Sequence, residues 1–262
     1  MIRRLTVYFV LSLLLPLSVS ATIMVLSDLT QEETVSPGGK YKGGIQLQNA
    51  SGEVKSVRIY QTDYWFSHTG ESRYDDPGTL ERSNASWINV SELFMTLQPN
   101  EIRMVGYEVT VPAIDSLRGS YWSVLMVEGI QPPDTSSLRT GMAIQTVMRY
   151  AIQIITHIGA SGSSDLEFLN VGVTRQNNLP VIEVDIRNMG DRALRPAVSI
   201  DLFDSAGTLV GTIAAERKRI YPGTSARILL SLEGMTPGSY SGVIIADCDE
   251  EHVFGANVNL KI

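Results

Sequence analysis

Apolar and polar residues alternate along most of this chain with a period of two. In "YKGGIQLQN" (41–49), Ile45 and Leu47 alternate with Gln46 and Gln48. "EIRMVGYEVTVP" (101–112) alternates Ile102 and Met104, then Tyr107, Val109 and Val111. "PVIEVDIRNMG" (180–190) sets Ile182, Val184 and Ile186 against Glu183, Asp185 and Arg187. Successive side chains of an extended backbone leave opposite faces, so this pattern predicts half-buried strands. No stretch carries a convincing helical period, and 115–119 has room for one turn at most. The chain therefore reads as all-β.

The longest strand candidate is "GMAIQTVMRYAIQIITHI" (141–158). Met142, Ile144, Thr146, Met148, Tyr150, Ile152 and Ile154 share one face of it, and its β-branched content argues against a helix. Strands of five or six residues are usual, so a row this long either runs into a linker or presents an edge. A long apolar edge is an aggregation hazard unless something pairs with it. Strand addition is one use for such an edge.

"GASGSSD" (159–165) follows, small and polar, with the composition of a flexible linker. Seven strand-like segments then fill 166–262, as an immunoglobulin-like sandwich requires. The two halves share landmarks. "IQLQNAS" (45–51) parallels "VDIRNMG" (184–190), and "LQPNEIRMVGYEVTV" (97–111) parallels "IYPGTSARILLSLEG" (220–234). "RGSYWSVLMVE" (118–128) parallels "PGSYSGVIIAD" (237–247). The expected architecture is two tandem immunoglobulin-like β-sandwiches, spanning 22–158 and 166–262, with 159–165 between them.

The first 21 residues stand apart. Arg3 and Arg4 precede an apolar run to about Leu17, and Val19-Ser20-Ala21 ends it in small residues, the pattern of a cleaved secretory signal. The run is short for a spanning helix and Pro16 interrupts it. An uncleaved anchor is the alternative. No comparable run follows, so no membrane span is expected in the mature chain, and export to the periplasm, cell envelope or medium is.

Charge narrows the partners. The net charge of −7 becomes −9 once Arg3 and Arg4 leave, and no basic run occurs, which argues against nucleic acid. The single cysteine, Cys248, cannot close an internal disulfide, and no basic neighbour activates its thiol. His68, His157 and His252 are isolated and make no zinc spacing. The acidic run "DCDEEH" (247–252) lacks the regular ligand spacing of a calcium loop and falls where the last hairpin turns. Neither a nucleophile elbow nor a phosphate-binding glycine loop is present. We therefore expect no enzyme, no catalytic residues, no metal and no cofactor. Asn49, Asn84 and Asn89 head Asn-x-Ser sequons, which matter only in a eukaryotic secretory pathway.

"SPGGKYKGGIQLQNAS", "LQPNEIRMVGYEVTVP", "GSYWSVLMVEGIQPP" and the long strand "MAIQTVMRYAIQI" occur in that order over residues 36–158. In that order they resemble the first domain of the periplasmic chaperones of the chaperone–usher pilus pathway. The resemblance implies a chaperone that binds pilin-like secreted subunits by donating its last domain-1 strand. Met142, Ile144, Met148, Ile152 and Ile154 would be the subunit-binding side chains, and Arg149 the basic residue that anchors a subunit's terminal carboxylate. The family's second basic anchor has no counterpart in 22–39, which contain no Lys or Arg. A second resemblance is to two-domain cell-surface proteins that bind peptidoglycan, which implies an exported binding or scaffold protein with cell-envelope components as partners.

Overall fold

The computed structural model describes residues 23–130, 147–249 and 251–262. Among these the chain forms strands and one 3-10 turn, Ala85–Trp87, with no α-helix. The first ten strands are β1 (Ile23–Val25), β2 (Thr30–Val35), β3 (Lys40–Asn49), β4 (Lys55–Phe66), β5 (Ser72–Asp75), β6 (Ile88–Val90), β7 (Phe94–Leu97), β8 (Ile102–Thr110), β9 (Gly119–Ile130) and β10 (Arg149–Ile158). One sheet runs β1-β3-β8-β6, and the facing sheet runs β2-β10-β9-β4-β5, with β7 also paired to β4. Between them lies a core of alternate residues: Ile45 and Leu47 from β3, Val105, Tyr107 and Val109 from β8, Leu125 and Val127 from β9, and Ile152 and Ile154 from β10.

The remaining strands are β11 (Leu166–Gln176), β12 (Leu179–Asn188), β13 (Ala197–Phe203), β14 (Leu209–Ala214), β15 (Ser225–Ser231), β16 (Ser239–Asp249) and β17 (His252–Lys261). They form the sheets β11-β12-β15 and β14-β13-β16-β17 around a second core that includes Ile182, Val184, Ile186, Ile200, Ile228 and Ile244. The chain is thus an all-β, two-sandwich protein, and the seven segments read from the second half are all strands.

The shared landmarks have a common hydrogen-bond logic. Asn49 is buried at the end of β3; its amide donates to the carbonyls of Leu97, Gln98 and Glu53, and its Oδ1 accepts from Ser51 N–H. Asn188 is buried at the end of β12; its amide donates to the carbonyls of Ile220 and Arg192, and its Oδ1 accepts from Gly190 N–H. Leu97 and Ile220 each stand two residues before the proline of their turn. Each asparagine also donates its own N–H to the second residue after that proline, Glu101 or Thr224. An Asn satisfies donors and acceptors on both sides of a turn at once, which explains its recurrence. Asn188→Ala strands these buried groups and should cost about 2–3 kcal/mol, read as a lower urea midpoint at unchanged m value. The same burial removes Asn49 and Asn84 as glycosylation acceptors, and leaves Asn89 exposed.

The segment 159–165 differs from the flexible linker its composition suggests. Ser163 C=O accepts from the N–H groups of Asp191 and Arg192, and Asp165 C=O accepts from Met189 N–H. A Cβ on Gly162 would lie 2.7 Å from Gly119 Cα, and one on Gly190 would lie 2.5 Å from Ser163 O. Small residues are needed here because backbones meet, not because the chain must swing.

Candidate functional site

The outer face of the β2-β10-β9-β4-β5 sheet is the face turned away from the first core. Register gives its rows: Arg58–Glu128–Arg149, then Tyr60–Met126–Ala151, then Thr62–Val124–Gln153. Trp122, Ile155 and Glu32 form the next row. Tyr64 lies beside Tyr74 across the β4–β5 hairpin, with ring centroids 5.0 Å apart and Tyr74 half-exposed.

The second sandwich closes one end of this face. Tyr221, in the turn before β15, stacks on Trp122 with centroids 4.6 Å apart and planes at 7°. Its hydroxyl donates to Gln153 Oε1, and Phe66 meets its ring edge-on at 6.0 Å. Trp122 Nε1–H donates to Tyr64 C=O at 2.8 Å, so neither buried ring leaves its polar atom unpaired. Burial raises the Tyr221 phenol above its ordinary pKa, so it remains a neutral donor.

At the opposite end, the Glu128 carboxylate collects three donors: Arg149 Nε at 2.8 Å, Arg58 Nη2 at 3.2 Å and Tyr60 Oη at 3.2 Å. Burial pulls its pKa upward, but the two guanidiniums and the phenol outweigh that and hold it below the ordinary carboxylate range. Arg58 also lies 4.7 Å over the Tyr60 ring. The sheet end is therefore a cation-rich cluster organised by one carboxylate.

The edge of the sheet is the other feature. β2 pairs with β10 in parallel from Gln153 to Ile158. Gln153 N–H donates to Leu29 C=O on that side. Main-chain groups alternate in direction along a strand, so Arg149 and Ala151 also aim theirs at this side. No described strand pairs with them there.

These placements divide the expected site. Met142 and Ile144 lie outside the described residues. Met148 directly precedes β10 and is 51 % exposed. Arg149 is half-exposed and ion-paired to Glu128. Ile152 and Ile154 are 0 % exposed and packed in the first core, so their side chains are committed to their own sandwich. The described strand starts at Arg149, and Val147 and Met148 stand outside it.

Sequence reasoning did not single out Tyr221, Glu128, Tyr60 or Arg58. Tyr221 had a signal only as the apolar residue before a Pro-Gly turn. The histidines that looked isolated have partners: His68 meets Ser225 Oγ at 3.0 Å, and His157 lies between Ser120 and Glu32. Among the described residues no group of three or more His, Cys, Asp or Glu could hold a metal ion.

No protein-family model matches the chain, and no curated protein does. Solved structures do. A chain of the structure "Chaperone-tip adhesin complex is vital for synergistic activation of CFA/I fimbriae biogenesis" aligns with a TM-score of 0.50 at 14% identity, over 90% of this chain and 98% of that one. The class 5 fimbriae chaperone CfaA aligns with a TM-score of 0.49 at 16% identity, over 90% of this chain and 98% of that one. The first of these likenesses shows a shared fold across both sandwiches.

Proposed function

We propose that the chain is a periplasmic chaperone of exported, pilin-like subunits, which it holds by strand addition along the outer edge of β10. The observation that carries this reading is that, among the described residues, no strand pairs with the main chain of Arg149 and Ala151 on the side where β2 stops short. An open edge accepts an incoming strand. Beside it lies a face of Tyr60, Tyr64, Arg58 and Arg149, residue types over-represented where proteins bind proteins. The fold shared with a chain from a chaperone–tip adhesin complex supports the same reading, by analogy of fold.

On this reading Met142, Ile144 and Met148 supply side chains to the subunit, while Ile152 and Ile154 keep that strand anchored in its own core. Residues 1–21 are the removed export signal, 22–158 the binding domain, 159–165 the connection and 166–262 the second domain. The work is binding, with no catalysis and no cofactor.

The test is a pair of variants. Ala151→Pro removes an N–H aimed at the open edge, a position where proline is tolerated in a sheet. Met148→Glu places a charge beside that edge. Each should lower subunit co-purification by about tenfold or more, a loss of about 1.4 kcal/mol, with an unchanged circular dichroism spectrum. Retention of subunits by both folded variants sinks strand addition and leaves the exported envelope scaffold as the better reading. Arg149→Ala should weaken capture while shifting stability by less than about 1 kcal/mol, because its ion pair is half-exposed. A larger loss in a thermal melt would make Arg149 a structural residue.

A further inference from the structure

We propose that His157, Glu32 and Arg219 form an acid-sensitive latch that holds β2 over β10 and ties it to the second sandwich. The latch stands on its own geometry. Its consequence, that opening it lengthens the edge available to a subunit, rests on the strand-addition reading.

β2 is weakly held for an edge strand. It spans six residues, ends its sheet, and sends Val35 alone to the first core. Two polar anchors supplement its ladder. On the inner side Gln31 accepts from Tyr107 Oη at 2.7 Å and donates to Gly44 C=O at 3.0 Å. On the outer side both oxygens of Glu32 accept from Arg219, at 2.7 and 3.0 Å. The second anchor reaches across to the other sandwich, and it contains the groups that titrate.

One neutral tautomer of His157 pairs every polar atom around the ring. Ser120 Oγ accepts from Ala193 N–H at 2.8 Å and lies 2.9 Å from His157 Nδ1. With the Ser120 hydroxyl hydrogen on Nδ1, Nδ1 is the acceptor. Nε2 carries the proton and faces Glu32 Oε2 at 3.3 Å. A neutral imidazole satisfies every partner. A second proton, on Nδ1, requires the Ser120 hydroxyl to turn its hydrogen away and accept instead. The charged groups acting on the ring are Glu32 of β2, already shared with Arg219, and the cations Arg192 and Arg219. Protonation therefore adds a third positive charge to a joint with one compensating carboxylate.

The titration directions agree with the geometry. Burial, foremost, holds the imidazole below its ordinary value of 6.5; Glu32 opposes this, and Arg192 and Arg219 reinforce it. A base held low contributes stability that is present above 6.5 and lost as the pH falls below it. Burial raises Glu32, but the bonds and charge of Arg219 and His157 outweigh it and hold the carboxyl below 4.5. Its contribution is present above 4.5 and lost on further acidification, so both groups act with the same sign.

Hydrogen exchange on the full chain, without subunit, tests the latch. With rates corrected for intrinsic pH dependence, protection of Thr30–Val35 should fall about tenfold between about pH 7.5 and pH 5. Protection of the β9 amides should hold over that range. In His157→Gln, which cannot take up the proton, β2 protection should be flat in the same window. Equal protection at both pH values in the wild-type chain, or the same fall in the variant, overturns the proposal. Direct NMR titration of the wild-type ring makes the test independent of how the variant folds: a midpoint below 6.5 is expected, and one at or above it overturns the latch. Since no subunit is present, the latch and strand addition can fail separately.

Discussion

Tyr221→Ala should cost about 3–5 kcal/mol of stability and uncouple the two sandwiches. The two main cores are each built from many side chains of their own strands. The joint has a small core of its own: Trp122, Ile155 and Tyr221 are its buried members, with Tyr64, Phe66, Leu80 and Ala193 packed around them. Tyr221 is the one large ring that the second sandwich supplies, and it is 1 % exposed. Removing it leaves one face of Trp122 against a cavity, and the Gln153 side chain loses its phenol donor. Neither main core can collapse into the gap without leaving its own packing, so the joint is expected to loosen. In urea the two sandwiches of this variant should unfold in separate transitions, or in one broadened transition with a lower apparent m value. Tyr221→Phe keeps the ring and the stack, and should lose about 1 kcal/mol for the hydrogen bond. A Tyr221→Ala protein that unfolds in one transition within about 1 kcal/mol of wild type would show that the polar contacts, not this stack, hold the halves together.

Much of the fold was legible because period-two patterning has one physical cause, and the sandwiches obey it. Val184 and Ile186 alternate in the sequence and lie in the second core. The repeat "IQLQN" and "VDIRN" was legible for a second reason, since a buried Asn is the cheapest way to pair both sides of a turn. The joint was not legible. Tyr221 and Trp122 are far apart in sequence, and nothing local distinguishes a Tyr that caps its own core from one that stacks on another sandwich. The linker misled for a related reason. Gly and Ser compose flexible segments, but the same residues are needed where two backbones touch, and composition does not separate these cases. Of the expected row on 142–154, Ile152 and Ile154 share a face of β10, and that face is turned into its own core. Period-two patterning reports that a strand has an apolar face, but not whether the face meets its own sandwich or a partner.

Gly119→Ala should cost about 3 kcal/mol or more, and Gly238→Ala should cost less than about 1 kcal/mol. The two glycines hold the same place in the two Gly-Ser-Tyr repeats, so the pair is an internal control. Gly119 has φ +73°, where a Cβ is strained whatever the space around it. There is also no space: the added carbon would lie 2.1 Å from the Asp191 carbonyl oxygen. Asp191 is unable to retreat. Its side chain is ion-paired to Arg82 and Arg118, its N–H donates to Ser163 C=O, and its C=O accepts from Ser120 N–H. Relief would require β9 to part from the 190–192 turn of the second sandwich, and Ser120, which supports His157, would move with it. Gly238 lacks a left-handed φ, and its nearest obstacle is the Tyr240 ring at 3.3 Å, a side chain able to shift. For a chain of this size, ~3 kcal/mol lowers the melting temperature by roughly 6–12 °C. Equal melting temperatures for the two variants would mean that the joint tolerates separation at Gly119. The asymmetry expected here has a physical source: one repeat starts a strand in solvent, while the other starts it in the seam between the sandwiches.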